Sequence, residues 1–479
     1  MTEPVNFDVV IVGGGPAGLA AARTLAPYGL SIAVIDEQQR PGGQILRQPA
    51  SGVDVADWLG GDGYRDVKAE LAAFESTRPA VWFGGRSVIG LARDADGFAV
   101  RASGPWDVLR LAGREVLVAA GCYDLPVPLP GWTLPGVMAA GGVQAFVKAQ
   151  QLVPGHRFVF AGTHPLMLVV ASQIVSAGGE VALVAFDQPL SRALRVLLSR
   201  VSTAARHLGP LLAAADAVRV LRRHRVPIRY GLPLAGMSGD GRVAEATFAS
   251  GAAKLSVPCD RVALCYGFVP QSDLTRLAGA ASAWAQPAGG WRTRHDEWMR
   301  TSVGGLAIAG ETSGVAGAAS ALEEGRLAAI GILRRLGKLD QAAAERAATP
   351  VRRRLARQRR FADLLAAVAD PGPMLARAVA PETILCRCED VSYGSVSAAL
   401  TEVDAPSAIK LATRCGMGLC QGRSCEAPLM REIARRRGEQ VGAIGGFTAR
   451  FPVRPVRIGD FVAAADLAAA ATNSPDAED

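Results

Sequence analysis

The sequence predicts an α/β chain of two parallel-sheet units, the second inserted into the first, followed by a small helical domain. Three observations carry this. A glycine-rich strand-to-helix turn opens the chain, an altered second copy of that turn starts near residue 157, and five of the eight cysteines fall between Cys386 and Cys425. The 479 residues, 49% hydrophobic, supply core for about two to four domains. No apolar run reaches the roughly 20 residues needed to span a bilayer, so no integral membrane segment is expected. The first strand begins almost at once, so no signal or transit peptide is expected and the expected location is the cytoplasm.

The net charge of +8 comes from arginine, and lysine is scarce. Only Arg352 to Arg360 forms a basic cluster, on an expected helix facing solvent or a partner. It lacks interleaved aromatics and any recognition motif, so nucleic acid is not an expected partner. The five histidines are scattered and make no metal constellation. Crowded cysteines in a chain without an export signal point to metal rather than disulfides. Cys122, Cys259 and Cys265 stand singly in apolar surroundings and read as small buried residues.

The opening stretch runs from Phe7 to Glu37. Val9 to Val12 reads as a buried strand, followed by Gly13-Gly14-Gly15-Pro16-Ala17-Gly18 and an alanine-rich helix to Leu25. Gly13 permits the tight turn, Gly15 leaves room for a pyrophosphate, and Gly18 lets the helix pack on the strand. Pro16 suits the first helical turn, and the helix start offers free N–H groups to a phosphate. A second strand, Ile32 to Ile35, ends at Asp36, eighteen residues past the last glycine, where a carboxylate can accept from a ribose hydroxyl. Together these make a dinucleotide-binding turn. Which dinucleotide binds stays open at this point.

Arg40-Pro41-Gly42-Gly43-Gln44 suits a loop passing close over a flat ligand. Residues 45–80 mix helix signals with a Gly/Asp loop near Gly60 to Gly63. Val81 to Val88, Phe98 to Ser103 and Val108 to Leu111 read as strands of an inserted meander. Glu115 to Gly121 reads as a further buried strand ending in Ala119-Ala120-Gly121. With these three motifs the chain resembles the glutathione-reductase-like flavoproteins with two dinucleotide-binding domains. In that group the first turn binds FAD, and the Ala-Ala-Gly backbone approaches it. The group also carries a late apolar strand, an acid and a glycine-containing helix start. They stand here as Gly305 to Glu311 and Gly314 to Ala319, with Glu311 where the group usually has Asp. The resemblance implies that Gly13, Gly15, Pro16, Ala17, Gly18, Asp36, Glu37, Gly43, Gln44, Val88, Ala119, Ala120, Gly121, Gly310, Glu311, Gly317 and Ala318 surround FAD. In it the acid serves the ribityl–phosphate portion, and the helix start points N–H groups at the flavin pyrimidine edge, which favours negative charge there.

The inserted unit spans roughly 150–275. A strand, Arg157 to Ala161, leads to Gly162-Thr163-His164-Pro165-Leu166-Met167, a helix and a second strand, Val181 to Phe186, before Asp187. His164 and Met167 occupy the second and third glycine positions, where side chains would block a pyrophosphate. This unit also lacks a Cys-x-x-Cys, which excludes a thioredoxin-reductase-like dithiol. Cys259 to Pro270 reads as its last strand and the return. Residues 335–380 read as an Ala/Arg-rich helical connector broken at Pro350, Pro371 and Pro373.

Cys386, Cys388, Cys420 and Cys425 give C-x-C-x31-C-x4-C. Two close thiolate pairs can hold two irons; zinc also accepts four cysteines, although Cys-x-Cys is less usual for it. Together with Thr413-Arg414-Cys415-Gly416-Met417-Gly418, the pattern resembles the bacterioferritin-associated-ferredoxin type of 2Fe–2S domain. Those four cysteines are taken as metal ligands, and Cys415 as a small non-ligating residue. Phe451 to Ile458 reads as extended chain lying along a surface, and the tail after Asp460 as an Ala-rich helix ending in acidic disorder.

The expected architecture is therefore α/β: a glutathione-reductase-like FAD domain (1–149 and 276–340) with an inserted, degenerate Rossmann-like NAD(P)-type domain (150–275). A helical connector (341–380), a small helical 2Fe–2S domain (381–440) and an extended tail (441–479) follow. Pro130 to Lys148 (PGWTLPGVMAAGGVQAFVK) and the phrase CRCEDV…GMGLCQGRSC make about 440 residues similar to one family. It comprises the larger flavin subunits of opine oxidases, hydrogen cyanide synthase and D-hydroxyproline or proline dehydrogenases. The resemblance implies FAD and a 2Fe–2S cluster as cofactors. It also implies that the partner dehydrogenating substrate is a D-amino-acid-oxidase-like flavin subunit. A small ferredoxin-like subunit often completes such complexes, and the complex can sit peripherally at the inner membrane. This chain would then relay electrons from an oxidised amine or amino acid. The residues agree: no His, Tyr or Arg constellation reads as a site orienting an amino-acid carboxylate, so no catalytic residue is assigned. Two other functions compete, a self-contained NAD(P)H-dependent FAD/iron–sulfur reductase and a non-catalytic assembly subunit with structural FAD.

Overall fold

A computed structural model of the chain describes residues 4–49, 52–53, 65–94, 96–105, 107–403 and 405–462. The expected loop near Gly60 to Gly63 and the tail from residue 463 lie outside them. Strand β1 (Val5–Val12) is buried on both faces from Val9 on, which suits the middle of a parallel sheet. Helix α1 (Pro16–Leu25) follows, then β2 (Ile32–Asp36), helix α2 (Arg65–Thr77), β3 (Val81–Gly84), β4 (Ser87–Asp94), β5 (Gly97–Ser103) and β6 (Val108–Val118). The sheet runs β3-β2-β1-β6-β5-β4, with Leu306–Ile308 also paired to β6. Strands β3, β2, β1, β6 and Leu306–Ile308 are parallel, and β6-β5-β4 form an antiparallel meander.

Two strands differ from expectation. Val81–Gly84 joins the parallel sheet beside β2, with Val34 opposite Trp82, rather than the meander. Residues 108–111 and 115–118 are one strand, because Gly113 does not turn the chain. It stays extended against Val10, where a Cβ would lie 2.8 Å from the valine methyl.

The inserted unit has a five-stranded parallel sheet. Its order is Ile228–Tyr230, Glu180–Phe186, Arg157–Gly162, Arg261–Cys265 and Val137–Ala139. Val137–Ala139 lies before residue 150, so this sheet takes a strand from upstream of the expected unit. A three-stranded antiparallel sheet, Leu234–Ser238, Glu245–Ser250 and Ala253–Pro258, caps it.

The connector helix Gln341–Val368 runs through Pro350 without a break. Proline removes one N–H and crowds the carbonyl four residues back, which disfavours a helix interior. Here Ala344, Ala348, Val351 and Leu355 are buried in the main core, and that packing holds the helix together across the proline. Nor does the Arg352 to Arg360 cluster face solvent as a whole. Arg354 reaches Glu323 at 2.9 Å, Arg359 reaches Glu324 at 2.9 Å, and Arg352 stacks 4.4 Å from the Trp298 ring centre. Those carboxylates are 7% and 1% exposed, so the arginines neutralise buried charge.

The cysteine-rich domain packs Leu385, Val396, Ile409, Leu429, Ile433 and Phe447 around its thiols. It is locked to the first unit by the mostly buried Arg276–Glu426 pair, bidentate at 2.9 and 3.1 Å, with Arg276 also donating to the Phe447 carbonyl. Trp132 adds a bond to the Ile384 carbonyl at 2.6 Å. The extended segment after Phe451 lies along β4, where Val453 N–H donates to Ile89 at 2.9 Å.

Helix Ala318–Arg335 crosses α1 at Gly325, where a Cβ would strike the Ala17 carbonyl. Overpacking of this kind costs about 1–3 kcal/mol. Gly325→Val is expected to lower stability in urea unfolding by at least that amount, because backbone cannot move aside as a side-chain tip can.

Candidate functional site

The first turn is built for an anion. Gly13 N–H donates to Ile35 O (2.8 Å) and Gly14 N–H to Asp36 Oδ2 (2.6 Å), which pins the turn to the end of β2. The N–H groups of Gly15, Ala17 and Gly18 have no acceptor among the described residues. A Cβ on Gly15 would meet only the Gly43 Cα, at 3.8 Å. Free donors, an open approach and a helix N-terminus together suit a pyrophosphate. The Gly42-Gly43 loop is tied down over it, with Gly42 N–H bonded to Gly14 O at 2.9 Å. Gln44, beyond it, is exposed.

Asp36 accepts from Gly14 and, at 2.7 Å, from Gln38 N–H. Burial pushes its carboxyl above the usual range, and these two bonds oppose that rise. Each oxygen keeps a second lone pair for a ribose hydroxyl. Two neighbours were not foreseen. The Trp82 ring stands where a Cβ on Gly14 would lie, and its Nε1 donates to the Gln39 carbonyl at 2.9 Å. Arg454, from the extended C-terminal segment, pairs with Glu37 at 3.2 Å. Val88 is buried with its side chain in the core, so its backbone alone can serve a ligand.

The strand ends converge on the same place. Ala119 N–H donates to Val12 O at 2.8 Å, and Ala309 N–H to Val118 O at 3.1 Å, so both signatures follow β1 and β6 to one edge. Ala120 is half-buried beside them, and Gly310, at φ +69°, sits against Ala17, where a Cβ would lie 3.1 Å from the alanine methyl. Gly121 (φ +80°) and Gly317 (φ +83°) have nothing within 4 Å of where a Cβ would stand. Gly317 N–H donates to Glu311 Oε1 at 2.7 Å, which orients the start of helix Ala318–Arg335. Glu311 Oε2 is buried without a partner. Burial raises the Glu311 carboxyl to about 7, opposed by bonds from Gly317 and from the Cys122 thiol. Cys122 is therefore a neighbour of the site rather than a core residue; its place directly after Gly121 was the available signal. An orphaned acceptor, two open glycines and free N–H donors fit FAD, so the residues present match the group that the fold implies.

The second turn is different. Thr163 and His164 N–H both donate to the Cys265 carbonyl, at 2.9 and 3.0 Å. Leu166 N–H donates to the His164 ring Nδ1 at 3.2 Å, and Met167 N–H to the His164 carbonyl at 3.2 Å. The imidazole stacks edge-on against Phe268, 5.2 Å between centres, and burial lowers its pKa to about 4. This neutral ring sits where an anion would otherwise accept the helix's N–H groups. The connector closes the same side. Gln188 Nε2 donates to Asp370 O at 2.6 Å, Arg192 pairs with Asp370 at 2.5 Å, and Met374 is buried in this unit's core.

The cysteines gather in two groups. The sulfurs of Cys386, Cys415 and Cys425 lie within 4.8 Å of one another, all buried. Cys388 lies beside Cys420; burial raises its thiol, and the Cys420 backbone N–H opposes that rise. The Cys386 thiol is pushed down to about 2, first by the Cys415 thiol, then by Cys425, with Gly416 and Glu389 N–H adding to it. Of the four expected ligands, Cys386 lies with Cys425 and Cys388 lies beside Cys420, while Cys415, expected not to ligate, stands in the first group. Two clustered thiol groups fit a two-iron centre.

The comparisons agree with this architecture. The family description "Pyridine nucleotide-disulphide oxidoreductase" matches residues 7–325, and "Sarcosine oxidase A3 domain" matches residues 382–466. An opine oxidase subunit of Rhizobium meliloti (strain 1021) is 33% identical over 471 residues, 95% of this chain and 98% of that protein. Hydrogen cyanide synthase subunit HcnB of Pseudomonas aeruginosa is 31% identical over 469 residues, 95% of this chain and 98% of that protein. The L-proline dehydrogenase structure from P. horikoshii superposes with a TM-score of 0.68 at 19% identity. It covers 96% of this chain and 80% of that one, and it establishes the shared fold.

Two outcomes follow from the first turn and Glu311. Gly15→Ala fits the empty backbone (φ −79°) but fills the pyrophosphate approach. It is expected to leave flavin-free stability within about 1 kcal/mol while weakening FAD binding at least about tenfold, read by flavin-fluorescence titration. Glu311 takes up its proton more tightly when folded than when unfolded. Its contribution is therefore fully present below the usual carboxyl pKa and is lost as pH rises through about 7. Melting temperature of the flavin-free chain should fall across that window, and Glu311→Gln should flatten part of the fall. Asp124 (about 6) and Asp187 (about 7), with Asp36 and Glu115, are also raised by burial and carry the same sign, so they add to the fall.

Proposed function

The chain belongs to the pyridine nucleotide-disulphide oxidoreductase family, and within it we propose that it is the FAD- and 2Fe–2S-bearing electron-transfer subunit of a heteromeric dehydrogenase acting on amines or amino acids. It is an FAD-type oxidoreductase, and the relatives that span it from end to end are named as subunits of oxidases and of a synthase. One observation carries the proposal: the first dinucleotide turn keeps free N–H donors, and the second has committed its own to Cys265 and His164. A chain that can hold FAD but offers a nicotinamide no phosphate site must take electrons from another source.

When bound, FAD accepts an electron pair and a 2Fe–2S cluster passes single electrons. Gly15, Ala17 and Gly18 would hold the pyrophosphate, Asp36 the ribose, and Glu311 Oε2 a ribityl hydroxyl. Gly317 and Ala318 present a helix N-terminus, whose positive end favours negative charge on whatever faces it. Four thiols from the set Cys386, Cys388, Cys415, Cys420 and Cys425 would ligate the cluster. Arg276–Glu426 fixes the cysteine domain on the FAD unit, because Glu426 directly follows Cys425. Arg423, paired with Asp273 at 3.7 Å, adds a further charged contact along the same seam.

Substrate oxidation then belongs to a second, D-amino-acid-oxidase-like flavin subunit, and a small ferredoxin-like subunit completes the complex. No helix among the described residues is long and apolar enough to cross a membrane; the location proposed for the chain is the cytoplasm, or the membrane periphery through its complex.

The test is an anaerobic absorbance titration of the purified chain with NADH, then NADPH, then dithionite. The expected result is bleaching of flavin and cluster by dithionite alone. Rapid bleaching by either nicotinamide would make the chain a reductase in its own right and end the relay proposal.

A further inference from the structure

Resting on the cluster reading above, we infer that Cys415 and Cys425 are interchangeable ligands to one iron, the iron that Cys386 also holds. The observation is an excess of thiols at one end of the site. Cys386, Cys415 and Cys425 converge within 4.8 Å, whereas the other end has only Cys388 and Cys420. Two thiolates on a tetrahedral metal, each about 2.3 Å from it, stand roughly 3.8 Å apart, so all three sulfurs are placed as mutual ligand neighbours. An iron in a two-iron, two-sulfide centre takes two thiolates, its other positions being filled by bridging sulfide. One thiol of the three is surplus.

The spacing C-x-C…C-x4-C favours Cys425 over Cys415 as a ligand, but local geometry gives Cys415 equal standing beside Cys386. Helix Pro406–Thr413 ends with Arg414 in a left-handed turn (φ +65°) that aims Cys415 inward, fully buried. Arg414 is itself held to Glu389, beside Cys388, at 2.8 Å. The Phe447 ring packs against both Gly416 and Gly422, where added Cβ atoms would lie 2.7 and 2.8 Å from it, so the two cysteine-bearing loops share one wall. The Cys415 and Cys425 sulfurs lie within 4.8 Å of each other and of Cys386. Exchange breaks one iron–sulfur bond and makes another, and the incoming thiol's proton passes to the departing thiolate. No oxidant or reductant is consumed.

The experiment uses the full chain purified anaerobically, with iron, acid-labile sulfide and flavin measured per chain and the dithionite-reduced EPR spectrum recorded. Wild type should hold about two irons. Cys415→Ala and Cys425→Ala should each keep iron within about 1.5-fold of wild type, the latter with shifted g values. Cys415→Ala/Cys425→Ala and Cys420→Ala should lose at least about five-fold, with flavin retained in all four. Cys425→Ser, nearer in size, is run in parallel with Cys415→Ala/Cys425→Ser, so that the outcome does not hang on one variant folding or on a serine ligand. Loss of iron from the Cys425 single variants as complete as from Cys420→Ala, with flavin intact, overturns the exchange. So does iron persisting in the double variants. A flavin-bearing wild type without iron overturns the cluster reading itself, and this inference with it.

Discussion

Gly325 brings helix Ala318–Arg335 so close to α1 that any side chain there would meet the Ala17 backbone, and much of the molecule follows from that approach. The crossing seats Gly310 against Ala17 and Gly13 against Ala119, so three distant sequence signatures meet at one sheet edge. Their glycines leave backbone donors and open space on the ligand side while closing the packing on the core side. A binding surface made of backbone depends on helix and strand positions, which are set by the cores beneath.

Charge is handled with similar economy. Glu70, Glu115, Glu323 and Glu324 are almost fully buried, and each has at least one arginine: Arg23 and Arg326, Arg335, Arg326 and Arg354, and Arg359 respectively. Without these arginines the buried carboxylates would stand uncompensated, a cost moderated by the arginines' partial exposure to water. That gives the connector's arginines a structural role, and it ties the connector to the helix Ala318–Arg335. The Arg276–Glu426 pair extends the same device to the cysteine domain.

The first turn, the Ala-Ala-Gly strand and the late signature were legible because each needs particular residues at fixed spacing. Strand pairing was less so. Residues 108–111 and 115–118 read as separate strands, but Gly113 between them lies extended beside Val10, and Val81–Gly84 joins the sheet beside β2, not the meander next to it in sequence. Pro350 was overruled by the buried alanines and aliphatics around it. At the site, His164 was readable as an obstruction, but its capping of Leu166 and the Cys265 carbonyl that takes two N–H groups are tertiary facts. Trp82, Arg454 and the Cys122–Glu311 contact arise from residues far apart in sequence or from a residue type with no fixed role. The grouping of Cys415 with Cys386 and Cys425 depends on how one helix ends, which spacing alone does not reveal.

The central proposal is that this chain would hold a flavin and an iron–sulfur cluster that exchange electrons directly. It is tested most directly by photoreducing the flavin anaerobically in the purified chain and following the cluster by absorbance and EPR. The account predicts that the reduced cluster appears at a rate independent of protein concentration. A cluster that stays oxidised beside fully reduced flavin, or that is reduced only at a rate proportional to concentration, would contradict it.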